Sequence, residues 1–418
     1  MTREMKNSGV QWIGNIPSNW GVFPVYKFYH DRIFLNLDYE YQRAFKFNYG
    51  TLKYKDEQGD LEYYRDTYIK YSKVKKNDIV INGLNLNYDF ISQRVAITPE
   101  DGIITSAYIV MRPYDDIVHN YFCYVFKAMD NMKLFHGMGK GIRLTLSFDE
   151  LKRQKICLPP LSEQKAIADF LDEKCGEIDG LLADLDTEVK TLAEYKKSLI
   201  AETVTRGLNP NVPMKQSGIP WADTIPAHWK VIANKYIMRK KKEIVPVYSG
   251  QDIISLSMNG VIVRDLDAGG KMPTSFNGYQ QIYPGNLLMC LFDIDVTPRC
   301  IGLIKNKGLT SPAYSQFEMI DDTYAPYYYY FYLKMDNTKE LVHLSKNMRH
   351  SLNEEQFGMI KTIQPPMEEQ VAIADFLDTK CAAIDQAITD KTTQIETLKA
   401  YKASLIYEYV TGKKQVAL

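Results

Sequence analysis

The chain repeats itself. Residues 159–205 align without a gap on residues 365–411, and 27 of the 47 positions are identical. The first copy opens Pro159-Pro160-Leu161-Ser162-Glu163-Gln164 and the second Pro365-Pro366-Met367-Glu368-Glu369-Gln370. A second pair of segments recurs at nearly the same interval. Met5 to Gly9, Trp12, Ile16-Pro17 and Trp20 match Met214 to Gly218, Trp221, Ile225-Pro226 and Trp229. A period near 206 residues is far too long for a solenoid. It specifies two copies of a globular domain, each followed by a helical segment. The partition is residues 1–158 for the first domain, 159–206 for its helix, 207–364 for the second domain, 365–412 for its helix, and a tail at 413–418.

The helical segments carry their own stop and start signals. Pro-Pro ends whatever precedes, Ser162 is a candidate N-cap, and Gly207 and Gly412 stand where helices stop. Leu171, Ile178, Leu185, Leu192 and Leu199 recur every seven residues. Leu377, Ile384, Lys391, Leu398 and Leu405 do the same, with Lys391 interrupting the column. Leu181, Tyr195, Ala387 and Tyr401 fall three positions later and suggest the second column of a heptad seam. One such helix would leave its apolar stripe in water. The economical solution is an antiparallel coiled coil between the two copies; the alternative is that each helix packs on its own domain.

The globular segments predict an α+β fold, each copy a mixed α/β domain, with a pseudo-twofold repeat in the whole. Asp78 to Ile81, Tyr108 to Met111 and Asn286 to Met289 have the β-branched and apolar content of buried strands. Tyr121 to Phe126 and Tyr327 to Tyr332 are aromatic runs; the second could stack bases, but a half-buried strand or helix face is the favoured reading. Outside the shared landmarks the two domains have diverged while the helices stayed alike. Helices with one common job and domains with two different ones would leave this pattern.

Charge follows the same division. Lys+Arg and Asp+Glu are both 51 overall. Residues 1–160 hold 22 basic and 18 acidic groups, 161–206 hold 6 and 11, 207–365 hold 17 and 14, and 366–418 hold 6 and 8. The domains are mildly basic and the helices acidic, so a polyanion would be met by the domains. The basic candidates for such contacts are Lys73, Lys75 and Lys76, the run Arg239-Lys240-Lys241-Lys242, and two equivalent pairs, Lys140 with Arg143 and Lys346 with Arg349. An Arg in a polar loop can clamp phosphate or read a guanine edge with its planar fork.

Catalytic signatures are lacking. There is no GxxxxGK[ST] loop, no GxGxxG opening a helix, no HExxH, and no Asn-Pro-Pro-aromatic motif of amino-methyltransferases. The six cysteines stand alone, without a CxxC pair, which argues against a zinc site and for a reducing, cytoplasmic setting. No apolar run approaches the roughly 18 residues of a membrane span, and the N-terminus leads into no signal-like segment.

The paired Pro-Pro-x-x-Glu-Gln…Ile-Ala…Phe-Leu-Asp openings, together with the Ser-Gly-x-x-Trp…Ile-Pro-x-x-Trp segments ahead of each domain, resemble the specificity subunits of Type I restriction-modification systems. The likeness runs through essentially the whole chain, in the family's order. It implies a non-catalytic DNA-binding subunit of a DNA adenine methyltransferase and ATP-dependent endonuclease. It further implies two target-recognition domains, each reading one half of a bipartite double-stranded target, and a coiled coil that sets the gap and docks two methyltransferase subunits. Restriction subunits would complete the full complex. S-adenosylmethionine, ATP and Mg would reside in those partners and no cofactor in this chain. Three alternatives stay open: an enzyme, as a fused nuclease or methyltransferase; a coiled-coil scaffold with two protein-binding domains; and a subunit of a methyltransferase-only system.

Overall fold

The computed structural model describes residues 3–48, 50–57, 59–114, 117–267, 273–345 and 350–416. They form two compact units. The first joins the N-terminal residues through 186 to the chain's last segment from 393, and the second comprises 187–392. This division cuts across the linear four-part partition, because each long helix contributes one half to each unit.

In the first unit, β1 (Tyr29–His30), β2 (Ile79–Ile81), β3 (Val95–Ile97) and β4 (Ile109–Pro113) form an antiparallel sheet in the order β1-β4-β2-β3. Ile79-Val80-Ile81 is buried throughout because both faces are covered. Ile79, Ile81, Val95, Ile109 and Met111 enter the main core, while Val80, Ala96 and Val110 pack in a second cluster with Phe45 and Leu52 of a hairpin. Period-two alternation thus feeds two cores. The aromatic run is part of α1 (His119–Asn131), buried on nearly every side.

The long helix α2 (Leu161–Arg206) follows. It starts one residue before the expected cap, so Ser162 lies in its first turn rather than ahead of it. Gly207, at φ +76°, closes it as anticipated.

The second unit repeats the plan. Its sheet holds β5 (Met238–Lys241), β6 (Leu287–Met289), β7 (Ile301–Leu303) and β8 (Ser315–Met319) in the order β5-β8-β6-β7, and α3 (Ala325–Asn337) carries the tyrosine run into the core. The long helix α4 (Met367–Val410) ends just before Gly412 at φ +71°. A Cβ on Gly412 would lie 2.4 Å from Pro17, so the site is closed to side chains.

Within the first unit the opening half of α2 pairs antiparallel with the closing turns of α4. Lys402 Nζ meets Asp179 at 2.6 Å, Phe170 packs on Tyr409 with ring centres 4.5 Å apart, and Leu171, Ile178, Leu405 and Ile406 share one core. The second unit holds the matching pair, Lys196 to Asp385 at 2.7 Å, with Leu377 and Ile384 buried beside Ile200 and Val204. The expected column is the seam: Leu171, Ile178, Leu377, Ile384 and Leu405 are buried, and Leu185, Leu192, Leu199, Lys391 and Leu398 half-buried. The second column, however, lies four residues on rather than three. Cys175, Thr203, Cys381 and Ile395 are buried there, with Leu182, Val189, Ile388 and Tyr409 half-buried. Leu181, Tyr195 and Tyr401 are more than half exposed. The leucine column occupies the d position of the heptad, and the a position follows d by four. Lys391 pairs with Glu188.

The tyrosines are anchored as well as packed. Tyr121 donates to Val410 O at 3.1 Å and Tyr124 to Asp172 Oδ1 at 2.8 Å. Tyr327 and Tyr330 repeat this with Val204 O at 3.0 Å and Asp378 Oδ1 at 2.6 Å. Burial of a phenol is tolerable when its hydroxyl finds an acceptor.

Candidate nucleic-acid interface

Each unit presents two loops fastened to each other. In the first unit the loop between β2 and β3 meets the loop that precedes the short helix Phe148–Leu151. Leu86 N donates to Leu144 O at 3.2 Å, Leu146 N to Gly83 O at 2.9 Å, and Asn87 Nδ2 to Ile142 O at 3.3 Å. Gly83 permits the approach: a Cβ there would sit 2.5 Å from Leu146 O. Lys140 and Thr145 form an antiparallel bridge, with Gly141 at φ +77° inside the turn it closes. That turn carries Arg143, exposed and without a hydrogen bond or ion pair among the described residues, beside Ile142, which is 96 % exposed. On the facing loop Tyr88 and Ile91 are exposed and Phe90 stacks on His136 at 4.5 Å.

The second unit fastens its loops in the same way. Ile294 N donates to His350 O at 3.2 Å and Leu352 N to Leu291 O at 2.8 Å. His350 and Leu144 occupy equivalent positions, both at φ +42°. A capping box follows in each case, Ser147 with Glu150 and Asn353 with Gln356, fixing where the loop ends and the short helix begins. The Ser147 hydroxyl and Lys140 hold the Glu150 carboxyl down at about 2. The turn residues differ between units, while the fastening does not.

The basic candidates fall in several places. Lys140 lies at this junction, largely exposed, with its ammonium 2.9 Å from Glu150. Lys346 and Arg349 lie outside the described residues. Lys73 is engaged by Asp38 and Glu40, both at 2.7 Å, and Lys75 by Asp101 at 2.7 Å; Lys76 is exposed beside them. Arg239 and Lys241 share Glu318, at 3.0 and 3.3 Å, and Lys240 faces Glu354 at 3.5 Å. Lys242 is exposed. These clusters are partly neutralised, so Arg143 is the cation freest to meet an anion at the first loop pair. The aromatic runs are core, not surface: Tyr121, Phe122, Tyr327, Tyr328 and Tyr332 are almost fully inaccessible.

The exposed apolar side chains on the same loops escaped the sequence reading. Tyr88, Ile91 and Ile142 are ordinary residues in an unpatterned stretch. Only the Asn82-Gly83 dipeptide marks a turn there.

Comparison with known proteins bears on what such loops serve. Residues 40–185 match the Type I restriction modification DNA specificity domain. The Type I restriction enzyme MjaVIII specificity subunit of Methanocaldococcus jannaschii is 25% identical over 386 residues, spanning 85% of this chain and 85% of the relative. A second protein of that organism, described as the MjaX specificity subunit, is 25% identical over 335 residues, 74% of this chain and 71% of the relative. A chain from a solved type I R-M system superposes with a TM-score of 0.67 at 11% identity, covering 96% of this chain and 99% of that one, which establishes a shared fold. The class defined by fold and matched domain is the DNA specificity domain protein. Over most of its length the chain is similar to Type I specificity subunits. Among the described residues no helix is long and apolar enough to cross a membrane.

Proposed function

We propose that each unit reads one half of a bipartite double-stranded DNA target through its fastened loop pair. The observation that carries this reading is the repeated fastening around dissimilar turns: one scaffold holds two different reading surfaces. Arg143 would contact phosphate or a base edge, and Ile91 and Ile142 suit the methyl-bearing floor of a groove. The paired helices would set the gap between half-sites and carry two methyltransferase subunits, with restriction subunits joining the full complex. The chain itself would be non-catalytic; S-adenosylmethionine, ATP and Mg would belong to the partners.

The test is to replace residues 1–158 with the same segment of another specificity subunit, produce the complex in cells, and map methylated sites by sequencing. One half of the target changes and the other stays. A change in both halves would overturn the modular reading. Arg143→Ala separates two contacts. A lost base contact costs about 1–3 kcal/mol at one position. A lost phosphate contact weakens all sequences and flattens the salt dependence.

A further inference from the structure

Behind each fastened loop pair lies a cation that touches no exposed surface of the loop yet holds its main chain. In the first unit this is Arg94, 1 % exposed. Its guanidinium donates to Asn82 O at 3.1 Å, Leu84 O at 2.8 Å and Asp89 O at 2.8 Å, which are three carbonyls of the one loop. Its own amide donates to Asp130 Oδ2 at 2.7 Å. Asp130 is a buried carboxyl of α1 whose pKa burial raises.

The second unit has the same carboxyl and the same amide contact: Cys300 N donates to Asp336 Oδ2 at 2.8 Å. The residue equivalent to Arg94 is therefore Cys300, which has no charge to give. The cation comes from the opposite side instead. Lys339, at φ +53° just past α3, sends Nζ to Thr297 O at 2.7 Å, Ile294 O at 3.4 Å and Asp336 Oδ1 at 3.0 Å. Thus two unlike residues at unlike sequence positions deliver a positive charge to the carbonyls of equivalent loops. A structural requirement met twice by different means points to the requirement itself: these loops turn several carbonyls inward, and inward carbonyls need donors.

We infer that Arg94 and Lys339 are positioning residues for specificity, each setting the shape of its own unit's reading loop without touching DNA. The inference rests on the proposal that these loops meet the target. A three-carbonyl fork and a single ammonium impose different main-chain paths, so the cation is part of what makes the two half-sites different. It follows that altering either cation changes base discrimination in one half-site only. The number of phosphates neutralised stays constant, so the slope of affinity against salt stays constant too.

The test uses the complete complex in cells, with host genomic DNA as the probe and methylated sites mapped by sequencing. Purified complex then supplies melting temperature and the salt slope. Lys339→Met is the primary variant, because a side chain 36 % exposed can be replaced without burying a void. The expected result is a loss of discrimination of about tenfold or more at positions of a single half-site, with the salt slope and the other half-site unchanged, and recovery in Lys339→Arg. Arg94→Lys is expected to do the same to the opposite half-site, more severely. Unchanged methylation sites in Lys339→Met and Arg94→Lys, with Arg143→Ala still altering binding, would overturn the inference and leave the loop reading standing. Unchanged sites in all three would overturn the loop reading itself. Equal loss in both half-sites would also overturn the inference, since it would mark a general weakening of the fold.

Discussion

The hydroxyl of Tyr121 donates to the carbonyl oxygen of Val410, 289 residues further along the chain, and the hydroxyl of Tyr327 donates to the carbonyl of Val204. Adding 206 to Tyr121 gives Tyr327, and subtracting 206 from Val410 gives Val204. Each unit is therefore closed by the end of the helix that follows the other globular segment. The first expected outcome concerns these bonds. Tyr121→Phe and Tyr327→Phe keep the ring and remove the donor, at about 1 kcal/mol each. Denaturant unfolding monitored separately for the two units checks it. Loss confined to the unit that holds the substituted tyrosine is the expected pattern, and identical unfolding of variant and parent would show that the bonds contribute nothing.

Lys391 supplies the second. It stands in a leucine column, half-buried, paired with an exposed Glu188. An ion pair of this exposure contributes at most about 1 kcal/mol, and a leucine would bury more apolar area than the lysine stem does. Lys391→Leu is expected to raise stability by about 0.5–1.5 kcal/mol. A fall in the unfolding midpoint would instead show that the lysine's charge is what the seam needs there.

Gly83 gives the third. A methyl group placed 2.5 Å from Leu146 O has nowhere to go, because the obstacle is backbone. Gly83→Ala is expected to part the two loops of the first unit at a cost of about 1–3 kcal/mol and to erase discrimination in one half-site. Methylation mapping of the variant complex reads the effect; an intact first half-site would show that the loops need not be fastened.

The fourth concerns pH. The carboxylate of Asp89 accepts from the amides of Ser92 and Ile91, at 2.9 and 3.1 Å, and the Ser92 amide is the main reason its pKa falls to about 2 from an ordinary 3.8. A folded value below the unfolded one gives stabilisation that is complete above about pH 4 and fades as pH drops through 2. Protection of the Ile91 and Ser92 amides against hydrogen exchange, corrected for intrinsic rates, is expected to hold steady from pH 8 to 5. A decline across that interval would mean the turn is held by something else.

Much of the architecture was legible in the sequence because repetition is independent of propensity. The 206-residue offset located the long helices, their glycine stops and the equivalence of the two domains, and β-branched runs such as Ile79-Val80-Ile81 marked the buried strands. The second heptad column was misplaced by one residue, because Leu181, Tyr195 and Tyr401 look as apolar as true seam residues and only packing separates them from Cys175 or Ile395. The tyrosine runs could not be assigned from pattern, since a helix buried on all sides has no amphipathic period. The loop surfaces were the least legible part. Arg143 stood out as a charge, but Arg94 and Lys339 share neither type nor position, and their common role exists only through carbonyls that the fold turns inward.

The reciprocal closure also has a consequence for half of the chain. Residues 1–206 contain a tyrosine that donates to a helix-end carbonyl and, at Val204, a carbonyl that accepts from such a tyrosine. A half-length polypeptide is thus self-complementary: two identical copies could satisfy each other by the same handshake. An assembly so formed would carry the first unit's loop pair twice.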